Sequence, residues 1–244
     1  MKKTKWIISA TALGLLLVYG LKAWSEIGDY PEKLWLHRCN SLEKMEEKEK
    51  VYDNVEVDLV YRGNGVFDVT HDADVSFGLK LDPYFAEIAK DDGHLWLDIK
   101  NVNLANCKEM DEDLDSLCQA YKVDKDQLII EGGNVDALNF FTQDDYYTSY
   151  YVPFDKPSRL TDQEIEACVD SLRVIADSKK VKALSFPGWW YKDIKQTLHR
   201  PIDLLTWKHR TTQWEFFIQP IHYQMMKDNQ LKVILIKSKG KYHR

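Results

Sequence analysis

The chain has 244 residues, of which 44% are hydrophobic and 30% charged, and its formal net charge is −6 at pH 7. This is the composition of an ordinary globular protein, so disorder is not expected, and the length allows one large α/β domain or two small ones. The acidic balance and the lack of a basic helix or RNA-binding motif in the sequence argue against general nucleic-acid binding.

The amino terminus predicts a membrane-targeting segment. Three lysines within residues 1–5 precede an uncharged apolar run from Trp6 to Leu21, which by the positive-inside rule leaves the amino terminus in the cytoplasm. In length this run lies between a signal-peptide core and a minimal transmembrane helix. We expect residues 1–25 to form a signal anchor that holds the rest of the chain on the exported (periplasmic or extracellular) side. Cleavage after Ser25 is the alternative, and it gives a secreted protein.

Strands and helices alternate along the rest of the chain. Eight principal strands are predicted to begin near residues 34, 55, 95, 127, 146, 181, 202 and 231, with a short extra strand at 66–70. Helices are predicted at 40–50, 82–90, 104–121, 135–141, 161–178, 190–198 and 212–228. In the first helix Asn40 is the expected N-cap, with Glu43 at the capping-box position.

This alternation predicts an α/β fold, a small (β/α)₈ barrel of the TIM type over residues 31–244. A doubly wound open sheet is the structural alternative, but the first strand lacks the Gly-rich phosphate loop of that fold. Cys107 and Cys118 fall in one helical pattern, about 16 Å apart, which is too far for a bridge. Cys39 and Cys168 could pair only if the fold brought them together, so no disulfide is predicted.

Polar side chains alternate with apolar ones at the ends of four consecutive predicted strands. Along the second strand Glu56 and Asp58 share one face, and their apolar neighbours share the other. The same pattern holds at the ends of the first, third and fourth strands, and one histidine follows in the loop after the second: His37, Arg38, His71, Asp98, Lys100, Glu131. An exposed sheet edge with solvated carboxylates is the ordinary interpretation of one such strand. Over four strands the pattern instead predicts a polar barrel mouth.

Three of these acids predict a metal site. Glu56, Asp58 and Asp98 offer carboxylate oxygens with no cysteine among them, and such a set suits Mg²⁺ or Ca²⁺ better than zinc. Glu131 is either a fourth ligand or the cap of the next helix. Both interpretations stay open at this point.

The basic residues of the same stretch predict an anionic substrate. Arg38 offers a planar fork for phosphate oxygens and Lys100 a point charge. His37 and His71 suit an acid–base pair, because imidazole changes its charge near neutral pH. With one divalent cation, the three acids and the two basic side chains carry one net positive charge, which a phosphodiester balances and a neutral sugar does not.

Four motifs together resemble those of glycerophosphodiester phosphodiesterases and the wider phospholipase-C-like phosphodiesterase superfamily: His37-Arg38, Glu56-Val57-Asp58, His71-Asp72 and Asp98-Ile99-Lys100. The resemblance covers Leu34 to Lys100 in sequence and beyond that only in architecture, apart from a late-strand tryptophan at Trp207. It implies hydrolysis of glycerophosphodiesters or related (lyso)phospholipid head groups by a neighbouring hydroxyl or water. In that mechanism His37 and His71 are the acid–base residues, the three acids hold the metal, and Arg38 stabilises the developing charge.

Departures from the family pattern leave a second function open. Cys39 stands where the family usually has glycine and is expected to crowd the backbone near the phosphate, and the acid expected soon after it is not clearly present. Asp98 replaces the usual glutamate, as in sphingomyelinase D-type phospholipases, and the short first helix is similar to theirs. The run from His37 to Ser41 resembles menorin-type proteins. The second hypothesis is a catalytically silent barrel that binds a ligand or a protein at the cell envelope.

Other conspicuous residues are assigned structural roles. The aromatic strand and the aromatic loop after Pro187-Gly188 are expected to pack in the core, and the basic tail to be solvated: Tyr146, Tyr147, Tyr150, Tyr151, Trp189, Trp190, Tyr191 and residues 237–244. Three further histidines have no acid partner at metal-ligand spacing and receive no role: His199, His209, His222.

Overall fold

The computed structural model describes residues 11, 13–21, 31–48, 51–91, 93–208, 211–212, 215–216 and 219–238. The strands of these ranges are β1 Leu34–Leu36, β2 Val55–Tyr61, β3 Phe67–Val69, β4 Leu95–Ile99, β5 Leu128–Gly132, β6 Tyr147–Tyr151, β7 Ala183–Pro187, β8 Asp203–Trp207 and β9 Leu231–Ile236. The helices of the barrel are α1 Leu42–Lys48, α2 Asp82–Asp91, α3 Cys107–Tyr121, α4 Val135–Gln143, α5 Asp162–Ser178, α6 Tyr191–Thr197 and α7 Pro220–Lys227.

Eight parallel strands close into a barrel. Each strand except β3 pairs in parallel with the next, and β1 completes the circle because it pairs with both β2 and β9. The closing registers are Leu36 with Val55 and Leu34 with Ile234. β3 is antiparallel to β2 and lies outside the circle. The predicted (β/α)₈ barrel with one extra strand is confirmed, and the open-sheet alternative is wrong.

Alternate residues of the strands enter two separate apolar layers. Val57 and Leu59 are fully buried in the layer between the strands and the helices. A smaller cluster, contributed by strands alone, fills the barrel interior: Trp35, Trp96, Ile129, Ala183, Leu205, Val233, Leu235. Filling the interior with bulky side chains makes the barrel a packed core and not a pore. The inward positions at the carboxyl ends of the strands are thereby left for polar groups.

The hairpin between β2 and β3 is fixed to α3. Its turn needs left-handed backbone, with φ of 84° at Gly63, 51° at Asn64 and 74° at Gly65, and glycine and asparagine tolerate this region. The amide of Asn64 donates to Glu109 Oε1 at 3.0 Å and that of Gly65 to Asp113 Oδ2 at 2.6 Å. The turn of the hairpin is therefore anchored to a neighbouring helix.

Helix starts are the main departure from the sequence-based expectation. Asn40 is not an N-cap, because α1 begins only at Leu42 and Ser41 Oγ accepts from the Lys44 amide at 3.2 Å. α3 begins at Cys107 and not at residue 104, after a loop held by asparagine side chains. Of the long last helix, the structure describes helical residues at 215–216 and 220–227, and residues 213, 214, 217 and 218 lie outside the described part.

All four cysteines are free thiols, and Cys107 and Cys118 are both buried in α3 as expected. Most of the predicted anchor, residues 1–25, lies outside the described residues; residues 11 and 13–21 are helical and exposed. No helix among the described residues meets the length and apolarity that a membrane span requires. The anchor therefore stays a prediction.

Two consecutive glycines at the end of β5, Gly132 and Gly133, differ in how closely a neighbouring loop approaches them. A Cβ on Gly132 would lie 2.2 Å from Val102 Cγ1, whereas one on Gly133 would meet no described atom within 4 Å. We expect Gly132→Ala to lower the free energy of unfolding by about 1–3 kcal/mol, because Val102 and its loop must move. Gly133→Ala should change it by less than about 0.5 kcal/mol. Urea denaturation measures both, and equal effects would contradict the close approach.

Candidate active site

The carboxyl ends of the strands surround a cavity of about 130 Å³. Its walls carry two histidines, four acids, three basic side chains, two aromatic rings and one leucine: His37, Arg38, Glu56, Asp58, His71, Asp98, Lys100, Glu131, Tyr151, Trp207, Leu235 and Lys237. Every site residue predicted from the sequence lies on this cavity. The barrel thus brings together predicted site residues that are up to 63 positions apart in the sequence, from His37 to Lys100.

Three carboxylates form the centre of one wall. Glu56, Asp58 and Asp98 each present an oxygen, and these oxygens all lie within 4.8 Å of one another. Neighbouring strands cause this arrangement, because Asp58 and Asp98 are register partners of β2 and β4. Glu56 Oε2 accepts from the Arg38 amide at 2.5 Å, while Glu56 Oε1 is buried with no hydrogen-bond partner among the described residues. These oxygens could hold a hard divalent cation.

Asn40 orients the middle carboxylate of the three. Its side-chain amide donates to Asp58 Oδ2 at 2.7 Å, and its carbonyl oxygen accepts from the Asp58 amide at 3.0 Å. Both residues are buried. The sequence signal of Asn40 was that of a helix cap, so its contact with Asp58 was missed. Only the packing of the first loop against β2 reveals it.

Lys100 lies between two of the acids. Its ammonium is 2.5 Å from Asp58 Oδ1 and also donates to Asp98 Oδ2. Although burial favours the neutral amine, the charges of Asp98, Asp58 and Glu56 outweigh it and raise the pKa of Lys100. Lys100 was predicted to contact substrate. It does line the cavity, but its ammonium is engaged with the carboxylates.

The three acids differ in how readily they ionise. Burial raises the pKa of Glu56 well above its ordinary value, and the charges of Asp58 and Asp98 add to the shift. Burial also raises the pKa of Asp98, although Lys100 opposes the shift. At Asp58 burial acts in the same direction, but Lys100 and Arg38 outweigh it, so the pKa is lowered. Two of the acids therefore need further positive charge nearby before they ionise readily.

The turn after β1 presents Arg38 to the cavity. Arg38 has φ of 53°, a left-handed conformation that is uncommon for a bulky residue. The buried ammonium of Lys44 donates to the carbonyl oxygens of His37 at 2.9 Å and Arg38 at 2.5 Å, which holds the turn in place. The Cys39 amide donates to the Glu56 carbonyl at 2.7 Å. With the turn fixed, Arg38 Nε lies 3.5 Å from Asp58 Oδ2.

Cys39 does not crowd the cavity, and that expectation is wrong. Its side chain is fully buried in the layer between strands and helices, and its carbonyl oxygen accepts from Tyr84 Oη at 2.8 Å. The left-handed residue of the turn is Arg38, so a side chain at position 39 is tolerated. Burial raises the pKa of the Cys39 thiol to about 12, so the thiol stays protonated.

The two histidines lie in different environments on the same cavity. His37 is largely buried, with Nε2 3.7 Å from Glu56 Oε2. Burial lowers the pKa of His37 well below its ordinary value, and the positive charge of Lys237 adds to the effect. His71 lies on the loop after β3 with 41% of its side chain exposed, and its Nδ1 is 2.7 Å from Asp72 Oδ1. One imidazole is thus held neutral, while the other faces solvent beside a carboxylate.

Glu131 lies beside the carboxylate cluster and is held by two donors. Trp96 Nε1 donates to Glu131 Oε2 at 2.7 Å, and Ser185 Oγ contacts Glu131 Oε1. Burial, with the charge of Asp98, raises the pKa of Glu131 to about 8. The helix-cap interpretation is wrong, because Asn134 caps α4 by accepting from the Ala137 amide at 3.0 Å. Glu131 also stands outside the group of three acids whose oxygens converge.

The far wall of the cavity contains Tyr151 and Lys237, which the sequence had assigned to packing and to the solvated tail, and the late-strand Trp207. Tyr151 stacks on Trp207 with ring centroids 5.2 Å apart and an interplanar angle of 13°, and Lys237 follows β9. Side chains alternate along β6, so Tyr151 shares the inner face of the strand with Tyr147. This alternation could have identified Tyr151 as a cavity residue from the sequence. Packing is confirmed for Tyr146, which is fully buried.

The comparisons with known proteins bear on the fold. No protein-family model matches the sequence, and no protein of curated function does either. Solved structures do match. A glycerophosphodiester phosphodiesterase from Parabacteroides distasonis has a TM-score of 0.56 and 15% identity, over 84% of this chain and 92% of that one. This chain shares its fold.

Two further solved structures, of proteins assigned to the same enzyme class, agree. That from Galdieria sulphuraria has a TM-score of 0.58 and 13% identity, over 84% of this chain and 93% of the other. That from Silicibacter pomeroyi has a TM-score of 0.57 and 14% identity, over 84% and 89%. At these identities the likeness establishes a common barrel. The chemistry has to be argued from the cavity itself.

The protonation of Glu131 gives a pH-dependent prediction. Because its pKa rises from an ordinary value of 4.5 to about 8 on folding, the folded state binds the proton more tightly than the unfolded state does. Stability is therefore lost as pH rises from 4.5 to 8, by at most about 1.4 kcal/mol per pH unit. In Glu131→Gln, whose amide can bond Trp96 and Ser185 as the neutral acid does, this component disappears.

The measurement is urea denaturation of chelator-treated protein across pH 5 to 9. We expect Glu131→Gln to gain stability relative to the unsubstituted protein as the pH rises, and to level off above about 8. The exposed Glu112 offers a matched control, Glu112→Gln. Parallel pH curves for Glu131→Gln and the unsubstituted protein would contradict a neutral Glu131.

Proposed function

We propose that the cavity hydrolyses phosphodiesters, of the glycerophosphodiester or (lyso)phospholipid head-group kind, with the help of a divalent cation. The observation that carries this proposal is the convergence of Glu56, Asp58 and Asp98 within 4.8 Å, on the cavity that also holds Arg38. Two histidines on the same walls supply acid–base groups. The fold shared with solved glycerophosphodiester phosphodiesterases supports the same reaction class.

The donor set fits the cation. It consists of carboxylate oxygens without a thiolate, as Mg²⁺ or Ca²⁺ prefers, and Glu56 Oε1 lacks a partner among the described residues. Glu56, Asp58 and Asp98 would hold the ion, while Asn40 and Lys100 orient the Asp58 carboxylate as outer-shell groups do. When bound, the cation supplies Lewis-acid polarisation of a phosphoryl oxygen.

Arg38 binds and orients the phosphate in this proposal. Its side chain is 37% exposed on the cavity wall, and the fork of donors of its guanidinium matches phosphate oxygens. The turn held by Lys44 fixes where the side chain begins. As negative charge develops on the phosphoryl oxygens, a preorganised donor stabilises it at no further ordering cost.

The two histidines receive different roles from their environments. His37 is buried and neutral, so it can take the proton of the attacking hydroxyl, from a neighbouring group of the substrate or from water. His71, exposed and beside the Asp72 carboxylate, delivers a proton to the leaving oxygen. In each turnover His37 gains one proton and His71 loses one. Proton exchange with solvent then returns both imidazoles to their starting protonation states.

One contact favours a second candidate function, binding without turnover. The Lys100 ammonium bridges Asp58 and Asp98, which is how a barrel without a metal would neutralise these acids. Such a protein would be a silent member of the same superfamily, binding an anionic ligand or a protein.

For either function we propose that residues 1–25 anchor the barrel at the membrane, with the cavity on the exported side.

Hydrolysis of glycerophosphodiesters separates the two candidates. We expect release of glycerol phosphate in the presence of Mg²⁺ or Ca²⁺ and none after chelation. His37→Ala should lower kcat/KM at least about 100-fold, the scale on which a general acid–base group contributes. Glu56→Gln should also lower kcat/KM strongly, because it removes a charged ligand of the proposed cation. Matched controls away from the cavity are His199→Asn and Glu112→Gln, which should retain the full rate. Turnover that survives both cavity substitutions would rule out this site, and binding without any turnover would favour the silent barrel.

A further inference from the structure

The loop that follows β3 carries His71, yet most of it is exposed. Residues 71–78 form no helix or strand, and all of them except Val75 are exposed. A loop that buries so little surface gains little from packing, so its hydrogen bonds have to fix its conformation. The position of the His71 imidazole on the cavity therefore depends on the bonds that the loop backbone makes.

The sheet fixes both ends of this loop. Before the loop, the Thr70 amide donates to the Asp58 carbonyl at 3.1 Å. Where the loop ends, the Leu79 carbonyl accepts from the Val69 amide at 2.7 Å. These two bonds determine where the chain leaves and rejoins the sheet, and they leave the path of residues 71–78 to other contacts.

Arg62, directly after β2, reaches from the hairpin to this loop. Its Nη2 donates to the Val75 carbonyl at 2.9 Å, and its Nη1 donates to the Ala73 carbonyl. The Val75 amide in turn donates to the Asp72 carbonyl at 3.1 Å, which closes the turn that contains Ala73. One guanidinium thus binds the backbone at two points shortly after His71.

Arg62 is itself held in place by the hairpin. Its Nε and Nη2 lie 3.2 and 3.0 Å from Asp68 Oδ2, and the Asp68 side chain is only 6% exposed. The Arg62 amide donates to the Val66 carbonyl at 2.9 Å. The turn of this hairpin is bonded to α3, so the side chain starts from a fixed backbone. A planar fork that is preorganised in this way loses little freedom when it also binds the loop.

The contact between His71 and Asp72 depends on the same bonds. His71 Nδ1 lies 2.7 Å from Asp72 Oδ1, and Asp72 directly precedes Ala73. Side chains of adjacent residues meet only for some backbone torsions, so the path of the turn decides whether this carboxylate reaches the imidazole. A catalytic group displaced by about 1 Å can lose about 100-fold in rate.

We propose that Arg62 is a positioning residue for His71: its bonds to the Ala73 and Val75 carbonyls hold the loop that presents the imidazole to the cavity. The role of Arg62 in the reaction rests on the proposed function, in which His71 delivers a proton to the leaving oxygen. Arg62 is not among the residues that line the cavity. We therefore expect its effect on the rate to pass through His71.

The variant that tests this role must not leave a buried charge unpaired. Arg62→Met alone would strip the Asp68 carboxylate of its partner and destabilise the protein. The paired variant, Arg62→Met with Asp68→Asn, avoids this. Its matched parent is Asp68→Asn alone, because the asparagine amide oxygen can still accept from Arg62.

Two diesters that differ in their leaving group separate positioning from general damage. Glycerophosphoethanolamine releases an alcohol, which needs a proton, whereas the glycerophosphate ester of p-nitrophenol releases a stable phenolate. Relative to its parent, the paired variant should lower kcat about 10- to 100-fold with the first diester, at nearly unchanged KM. With the second diester kcat should fall less than about 2-fold, because no proton is required. In a His71→Ala background the same change should cost nothing further.

Arg173 offers a matched control in the loop before β8. It likewise binds two backbone carbonyls and two acids: Thr197, Leu198, Glu166, Asp170. Its side chain is 22% exposed, against 33% for Arg62. Arg173→Met should lower the melting temperature but keep the ratio of the two rates at that of the unsubstituted protein. For the paired variant, an equal loss with both diesters, or no loss, would overturn the positioning role.

The imidazole signals of His71 in protein with isotope-labelled histidine report the loop without any turnover. Their disappearance in His71→Ala assigns them, and the exposed His199 serves as an internal reference. We expect the paired variant to shift these signals relative to its parent, because the contact with Asp72 is lost, and Arg173→Met to leave them in place. Unchanged signals in the paired variant would contradict the positioning role whatever the rates are.

The positioning role and the proposed function fail in different ways. If the unsubstituted protein hydrolyses neither diester but the His71 signals shift as expected, the proposed function is wrong and the positioning of His71 stands. If His71→Ala loses activity only with the alcohol leaving group, while the paired variant keeps its parent's rates and signals, the positioning role is wrong and the proposed function stands.

Discussion

The carboxyl groups of Glu56, Asp58 and Asp98 repel one another at the mouth of the barrel, because burial leaves little water to screen them. Glu56 and Asp58 are each only 1% exposed, so each negative charge needs a nearby positive group or a proton. The protein supplies two cationic side chains, Lys100 and Arg38, yet two of the three acids still have raised pKa values. A divalent cation would neutralise the negative charge that Lys100 and Arg38 leave uncompensated.

Several contacts around the site follow from this constraint. Asn40 fixes the Asp58 carboxylate through two hydrogen bonds, so that the acid cannot turn away from its neighbours. Lys44 holds the left-handed turn at Arg38, and the amide of that turn donates to Glu56. Left-handed backbone at a bulky residue costs free energy, and it persists where surrounding groups determine it. Here the buried ammonium of Lys44 is such a group.

The barrel was predictable because side chains alternate between its inner and outer faces along every strand. This alternation is visible in the sequence of a single strand. Val57 and Leu59 had to face the helices, so Glu56 and Asp58 had to face inward, and the structure confirms this. The same rule brought His37 and Asp98 to one cavity without any long-range information. The motif residues were visible because each lies within or soon after a strand of apolar neighbours.

The remainder depends on contacts between distant segments, which no local pattern encodes. Asn40 carried a helix-cap signal, but the fold uses its amide against β2. Lys237 belonged to a basic tail, and only the closure of β9 on β1 places it on the cavity. Glu131 could be a ligand or a cap until the positions of Trp96 and Ser185 were known. Local sequence predicts which face a residue takes, whereas its partner is set by the tertiary fold.

Anomalous diffraction from crystals soaked in manganese chloride would show whether the three carboxylates bind a cation, since Mn²⁺ accepts the oxygen ligands that suit Mg²⁺ and Ca²⁺. We expect a peak about 2.0–2.6 Å from oxygens of Glu56, Asp58 and Asp98. An empty map at this position, with the Lys100 ammonium still bridging Asp58 and Asp98, would contradict it.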